Sequence, residues 1–280
     1  MSTLPKVIGF IPAYKSEKFI LETLQALSNQ TYPNFEIWIC DDASPDRTFQ
    51  ICKDFCEKDF RFKLIQNQSN LGWWKTWTRM WDICASESKY SFFHPHDDTP
   101  YPNFISDQVD LLEKNQEAVL CVPGMQNNYD GKKSESFILQ NLCTSKSPSE
   151  RISQLVSWEI RGWWAAVHGL HRSEYIKEIN TGEFLRFGEK EFALDLIWLI
   201  KLTAKGPFIA SDRILFEKHY STSTLSGSWK YNFKNRAAVY FAMAEEVIKL
   251  NLPLKEKASS LKAIGKKSFD SLRRKINLSK

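Results

Sequence analysis

Phe35-Glu36-Ile37-Trp38-Ile39-Cys40-Asp41-Asp42 and Tyr90-Ser91-Phe92-Phe93-His94-Pro95-His96-Asp97-Asp98 are two short apolar runs that each lead into a pair of aspartates. Their length and their β-branched and aromatic content predict buried strands. Carboxylates just past such strands face the crevice at the carboxyl edge of an α/β sheet, where ligands bind in that architecture. Two acidic pairs on one edge can serve one ligand.

Around these runs the first half of the chain alternates strand and helix. Residues 7–11 read as a strand ending at Pro12, and 16–28 as a helix with Ser16 as its N-cap. Asp42-Ala43-Ser44-Pro45-Asp46 opens a second helix running to about residue 59, and 62–66 form a third strand. Asn70-Leu71-Gly72 is a turn, 73–86 a helix, and 90–93 the strand before the second acidic pair. Such alternation predicts right-handed crossovers and an α/β fold with a mostly parallel central sheet flanked by helices. Beyond a helix at 103–115 and a strand at 118–122, residues 124–150 read as a long excursion or lid. Further strands are expected at 165–170 and 208–216, and a helix at 191–204 closed by Gly206.

The chain has 280 residues, 42% of them hydrophobic and 25% charged, with ten Trp and nineteen Phe. That is a well-filled globular core rather than a disordered chain. No apolar run reaches the roughly 18 residues of a membrane span, and the N-terminus lacks a signal-peptide pattern, so the expected location is the cytoplasm. The six cysteines are scattered, and reduced thiols are expected. Cys52 and Cys56 share a helix face, but no second Cys/His pair completes a zinc site.

Charge is unevenly distributed. Residues 254–280 hold nine Lys or Arg against two acids, so this tail carries +7 and the rest of the chain −2. Leu261, Ile264, Leu272 and Ile276 recur near helical spacing. Two readings follow: a basic amphipathic helix on an anionic membrane surface, or a helix packed on the preceding domain with a solvated basic face. No motif supports binding to nucleic acid.

Five motifs then fall in one order: Ile11-Pro12-Ala13-Tyr14; Asp41-Asp42-Ala43-Ser44-Pro45-Asp46; Asn70-Leu71-Gly72; His96-Asp97-Asp98 followed by Pro102; and Asp195-Leu196-Ile197-Trp198 running into Lys205-Gly206. In order and spacing, over residues 5–220, the chain resembles the family 2 glycosyltransferases with a GT-A fold. The resemblance implies a GT-A domain over 1–228, with a nucleotide-binding half (1–123) and an acceptor half (124–228), followed by a basic helical extension over 229–280. It also implies a nucleotide-sugar donor, UDP-linked by expectation, a divalent cation such as Mn²⁺ or Mg²⁺, and inversion at the sugar. The acceptor would be a glycan or a lipid-linked molecule in cell-surface polysaccharide synthesis, reached from the cytoplasm or the inner face of the membrane.

By the same resemblance Asp98 is the direct metal ligand, Asp97 contacts the metal or the sugar and ribose, and His219 is a late histidine that completes the metal site. Adjacent carboxylates suit the hard cation that stabilises a departing diphosphate. The alternative use of Asp97 and Asp98 is to cap the next helix, from which Pro100 and Pro102 separate them. Pro12, Ala13, Tyr14, Glu17 and Asp42 are expected to line the nucleotide pocket, with Asp42 accepting a base N–H. Asp46 reads equally as a helix cap, and Lys75 as a diphosphate contact or a solvated lysine. Asp195 is the candidate general base for the acceptor hydroxyl, and Glu191 its rival, because Leu194 stands where most of the family carries Glu. Pro95 and His96 likewise replace an acid that many of the family place before the pair. Trp163-Trp164 and Trp73-Trp74 read as a sugar-stacking platform or as core. Other classes with the same elements are a nucleotidyltransferase, which would need a glycine-rich phosphate loop that Ile11-Pro12-Ala13-Tyr14-Lys15 lacks, and a catalytically silent nucleotide-sugar-binding scaffold.

Overall fold

Every residue of Val7–Ala13 (β1) except Pro12 is buried, the pattern of a strand covered on both faces. In the computed structural model, which describes residues 4–157, 160–179, 185–220 and 232–278, β1 pairs in parallel with Phe35–Asp41 (β2) on one side and Tyr90–Phe93 (β4) on the other. Phe62–Gln66 (β3) extends the parallel set from β2. Ile20–Ser28 (α1), Thr48–Cys56 (α2) and Trp73–Glu87 (α3) are the crossovers. The expected alternation is present with boundaries shifted by a few residues.

The sheet then turns mixed. Leu170–Arg172 (β8) lies antiparallel to β4 and to Leu120–Tyr129 (β6), and β6 runs parallel to Phe208–Tyr220 (β9). Thr99–Pro100 (β5) closes the edge against β9, and Lys132–Phe137 (β7) forms a hairpin with β6. The order is β3-β2-β1-β4-β8-β6-β9-β5, with β7 beside β6. The helices of this half are Phe104–Lys114 (α4), Pro148–Ser157 (α5), Ser173–Ile176 (α6) and Leu194–Lys205 (α7), followed by Phe233–Lys249 (α8) and Leu254–Leu278 (α9).

Several expectations are corrected here. The first part of the excursion at 124–150 is a β-hairpin, because Asp130 (φ 49°) and Gly131 (φ 84°) supply the left-handed pair of a tight turn between β6 and β7. Residues 165–170 do not form a strand: Trp163–His168 is a 3₁₀ turn leading into β8. The helix expected at 191–204 starts only at Leu194, because Ala193 sits at φ 51°. Ser16 does not cap α1, which begins at Ile20; its amide instead donates to Thr48 Oγ1 at 2.7 Å. Gly206 is not a left-handed cap either. Its backbone is extended, and a Cβ there would stand 2.6 Å from Val119 and 2.8 Å from the Glu117 carbonyl.

Tryptophans hold the two halves together. Trp77 and Trp81 of α3 are fully buried against Trp198 of α7, and the Trp81 and Trp198 rings stack at 5.0 Å. Burial of each such side chain contributes roughly 2–3 kcal/mol. Trp74 joins this core by stacking on Trp77 at 4.8 Å, while Trp73, Trp163 and Trp164 are half-buried against it.

The basic tail is a packed helix. Ser260 and Ile264 are buried, and Glu256 accepts hydrogen bonds from the Ser149 amide at 2.7 Å and the Ser147 hydroxyl at 3.1 Å. Lys267 donates to the Ser157 carbonyl at the far end of α5. Ile264 and half-buried Leu261 face inward, so the described part of the apolar stripe is occupied by the protein's own core. Lys255, Lys262, Lys266 and Phe269 lie outward at helical spacing. The side chains of Leu272 and Ile276 lie outside the described residues, as does the expected boundary at 228/229. No helix among the described residues is long and apolar enough to cross a membrane.

Candidate active site

The end of β2 is tied down by hydrogen bonds. Asp42 is buried, and its Oδ1 accepts from Asn67 Nδ2 at 2.6 Å and the Leu71 amide at 2.9 Å, while Oδ2 accepts from the Gly72 amide at 3.0 Å. Gly72 can turn its amide inward because it stands at φ 86°. Its neighbour Asp41, fully buried, accepts from Gln66 Nε2 at 3.1 Å and the Ser44 amide at 3.3 Å. Ala43, between the pair and Ser44, holds φ 55°, a conformation that disfavours a Cβ.

The loop after β1 packs beside this one. The Ala13 carbonyl accepts the Asp42 amide at 2.8 Å, Pro12 is half-buried, and the Tyr14 ring stays 40% exposed at the mouth. Glu17 accepts from the Arg47 amide at 3.0 Å, and its own amide donates to Asp46 at 3.4 Å. Asp46 also accepts from the amide and hydroxyl of Thr48, the first residue of α2, at 3.1 and 2.6 Å, while the cap position itself is Arg47. Burial opposes ionisation of Asp46, but these bonds outweigh it and lower its pKa.

The second acidic pair has a different environment. Asp98 is fully buried; its Oδ1 accepts the His219 amide at 2.9 Å, and its Oδ2 faces Lys218 Nζ at 3.3 Å. Pairing of Thr99 with Glu217 and of Pro100 with Phe216 brings β9 to this point. Side-chain alternation sends Lys218 to the Asp98 side and its neighbours to the other. The Lys218 side chain is 18% exposed and lies 5.5 Å from the Tyr220 ring. Burial works against its charge, but Asp98, Tyr220 and Asp97 outweigh burial and hold its pKa above the ordinary lysine value. Asp97 is half-buried, and the His219 ring stands 3.3 Å from Thr99 Oγ1 and 3.6 Å from Glu217 Oε1. Sequence reasoning missed Lys218 because β9 is four residues longer than its apolar run; the missed signal was the alternation of Phe216, Lys218 and Tyr220.

Asp195 stands in the first turn of α7, within range of the Lys218 charge. Burial pushes its pKa up to about 6 against the pull of the Leu196 amide, its own amide and Lys218. Its Oδ1 accepts the Leu196 amide at 3.0 Å. Glu191 lies elsewhere, at the N-terminus of α3. There it accepts the Trp74 amide and feels Lys75, while burial raises its pKa, and a Cβ on Gly72 would stand 3.3 Å from its Oε1. The two rival carboxylates are thus separated, Asp195 with Lys218 and Glu191 with the turn that holds Asp42. Among the described residues no three His, Cys, Asp or Glu side chains by themselves form a metal cage.

Residues 10–173 match the model of glycosyl transferase family 2. The chain belongs to that family. As a family 2 member it carries a glycosyltransferase domain, and curated relatives agree. The putative glycosyltransferase EpsE of Bacillus subtilis is 31% identical over 128 residues, 45% of each chain. Glycosyltransferase GlyG of Streptococcus pneumoniae is 24% identical over 225 residues, covering 78% of this chain and 72% of its own. Of solved structures, Staphylococcus aureus TarS 1–349 in complex with UDP-GlcNAc shares the GT-A fold at a TM-score of 0.70 and 19% identity, over 95% of this chain and 73% of that one. This chain spans about half the length of several curated relatives it matches.

Proposed function

We propose that the protein moves a sugar from a nucleotide-sugar donor, UDP-linked, to a hydroxyl of a glycan or lipid-linked acceptor in cell-surface polysaccharide synthesis, with a divalent cation and inversion at the anomeric carbon. The observation that carries this reading is the pairing at one sheet edge of Asp98 with Lys218, with Asp97 next to it, together with the buried, hydrogen-bonded Asp42 at the end of β2. Structures of similar fold are described in complex with UDP, with UDP-GlcNAc, and with GDP-Man and Mn²⁺, and TarS is named a poly(ribitol-phosphate) β-N-acetylglucosaminyltransferase, which supports the donor class and the acceptor class.

The donor set suits a hard cation. Asp97 and Asp98 offer adjacent carboxylates, and a site of one or two carboxylates completed by phosphate oxygens and water is what Mg²⁺ or Mn²⁺ commonly takes. Asp98 and Asp97 are the ligands in this reading; the His219 ring, expected to complete the site, faces Thr99 and Glu217 instead, and only its amide reaches Asp98. When bound, the cation stabilises negative charge on the leaving diphosphate as a Lewis acid. Asp42, fixed by Asn67, Leu71 and Gly72, keeps acceptor capacity on Oδ2 for a base N–H, and exposed Tyr14 offers a stacking face beside Pro12, Ala13 and Glu17. Lys75, on the solvent side of α3, takes the diphosphate's outer oxygens. Asp195 takes the acceptor proton on Oδ2, and its pKa near 6 leaves it ionised at neutral pH and a competent base. Glu191, bonded to the start of α3, holds the nucleotide side instead. The outward face of α9, with Lys255, Lys262, Lys266 and Phe269, rests on anionic lipid at the inner membrane face.

A thermal-shift screen of nucleotide sugars with and without Mn²⁺, followed by NMR of the product, tests this reading. Stabilisation by a UDP-sugar with Mn²⁺ and an inverted product are expected. No nucleotide response would favour a silent scaffold, and retained configuration would exclude single displacement.

A further inference from the structure

Lys218 is a largely buried cation that the proposed reaction does not yet use. Its ammonium stands 3.3 Å from Asp98 Oδ2, with Asp98 and Asp97 both favouring its charge, so it occupies the electrostatic place of a metal ion. With Oδ1 bonded to the His219 amide and Oδ2 to Lys218, Asp98 has both oxygens engaged before any donor arrives. A dication entering alone would meet this fixed positive charge at close range, where repulsion in a half-dry site is strong. A nucleoside diphosphate brings the compensating negative charge, and a flexible lysine is a common phosphate partner.

We propose that Lys218 is a movable countercharge: it pairs with Asp98 in the donor-free protein and turns to the donor's diphosphate on binding, so that donor and divalent cation bind as a coupled pair and neither binds well alone. The inference rests on the reading of Asp98 as a metal ligand. It assigns to Lys218 both the suppression of metal binding without donor and a direct contact to the leaving group. Lys218 stays protonated throughout; only its partner changes.

Calorimetry and Mn²⁺ paramagnetic resonance on the full chain test it. In the wild-type protein UDP should tighten Mn²⁺ binding by at least ~10-fold, within the ordinary range of coupling between sites. Lys218→Met, which keeps the aliphatic volume, should tighten donor-free Mn²⁺ binding by ~10-fold or more and weaken UDP binding at saturating Mn²⁺ by a similar factor, collapsing the coupling. Lys218→Arg keeps the charge and should retain weak donor-free Mn²⁺ binding, which separates charge from shape if the Met variant folds poorly. Wild-type coupling with Mn²⁺ and UDP affinities unchanged in Lys218→Met would overturn the countercharge and leave the metal reading intact. UDP affinity equal in chelator and in Mn²⁺ would overturn the metal reading, and the exchange with it.

Discussion

The two acidic strand ends share a sequence pattern and differ in what satisfies them. Asp42 is held by Asn67 and by the Leu71 and Gly72 amides, fixed dipoles that cannot leave without unfolding their turn, and Asp41 by the Ser44 amide and the Gln66 side chain. Asp98 is held by one backbone amide and one lysine ammonium from a strand 120 residues later, and that ammonium sits on a rotatable four-carbon stem. A carboxylate locked by fixed dipoles suits recognition of a constant shape, such as a base. A carboxylate paired with a mobile charge suits a site whose charge must change during turnover.

The sharpest way to test this contrast is at Asp195, the proposed base. Asp195→Asn keeps the helix start but removes proton acceptance, so turnover should fall by roughly two to four orders of magnitude with UDP affinity nearly unchanged, measured by steady-state kinetics and calorimetry. In the unsubstituted enzyme the rate should rise with pH through about 6, as the Asp195 carboxyl loses its proton, and level above it. If Asp195→Asn turns over normally, Glu191 becomes the base and the division of roles between the two regions fails.

Stability sharpens the same comparison. Asp98→Asn strands a largely buried ammonium and should cost about 3 kcal/mol, the low end for a broken buried pair because Asp97 still favours its charge. Asp42→Asn keeps one acceptor oxygen but turns an NH₂ toward an amide donor, for about 1–2 kcal/mol by denaturant titration. Equal losses would mean that the two pairs are held alike.

The sequence was most legible where contacts are local. Strands at 62–66 and 90–93 match the observed β3 and β4, since short buried parallel strands announce themselves by apolar runs between turns. The second half of the sheet was harder to read because polar side chains share its strands: β6 continues through Gln126, Asn127 and Asn128, and β9 through Glu217, Lys218 and His219. Of these, Asn127, Asn128 and Glu217 are buried by neighbours distant in sequence, as where Asn128 donates to Glu217 at 2.5 Å. Asp130-Gly131 did signal the hairpin, and its turn chemistry was outweighed by the polar composition around it. Asp42 and Asp98 could be placed at the sheet edge from sequence, but Asn67 and Lys218, which give each its environment, could not.

A smaller effect tests the packing that joins the halves. Gly206→Ala should cost about 1–3 kcal/mol, because the added Cβ meets Val119 and the Glu117 carbonyl next to the junction of α7 and β9. Thermal denaturation reads this, and an unchanged midpoint would show that the loop there yields freely.

The most direct measurement is UDP binding by calorimetry, with Mn²⁺ and with chelator, for the wild-type protein, Asp42→Asn and Asp98→Asn. The increment that Mn²⁺ adds to UDP affinity should persist in Asp42→Asn, whose affinity falls by the same factor under both conditions, and vanish in Asp98→Asn. An increment that survives in Asp98→Asn, or disappears in Asp42→Asn, would contradict the assignment of shape recognition to one acidic pair and charge exchange to the other.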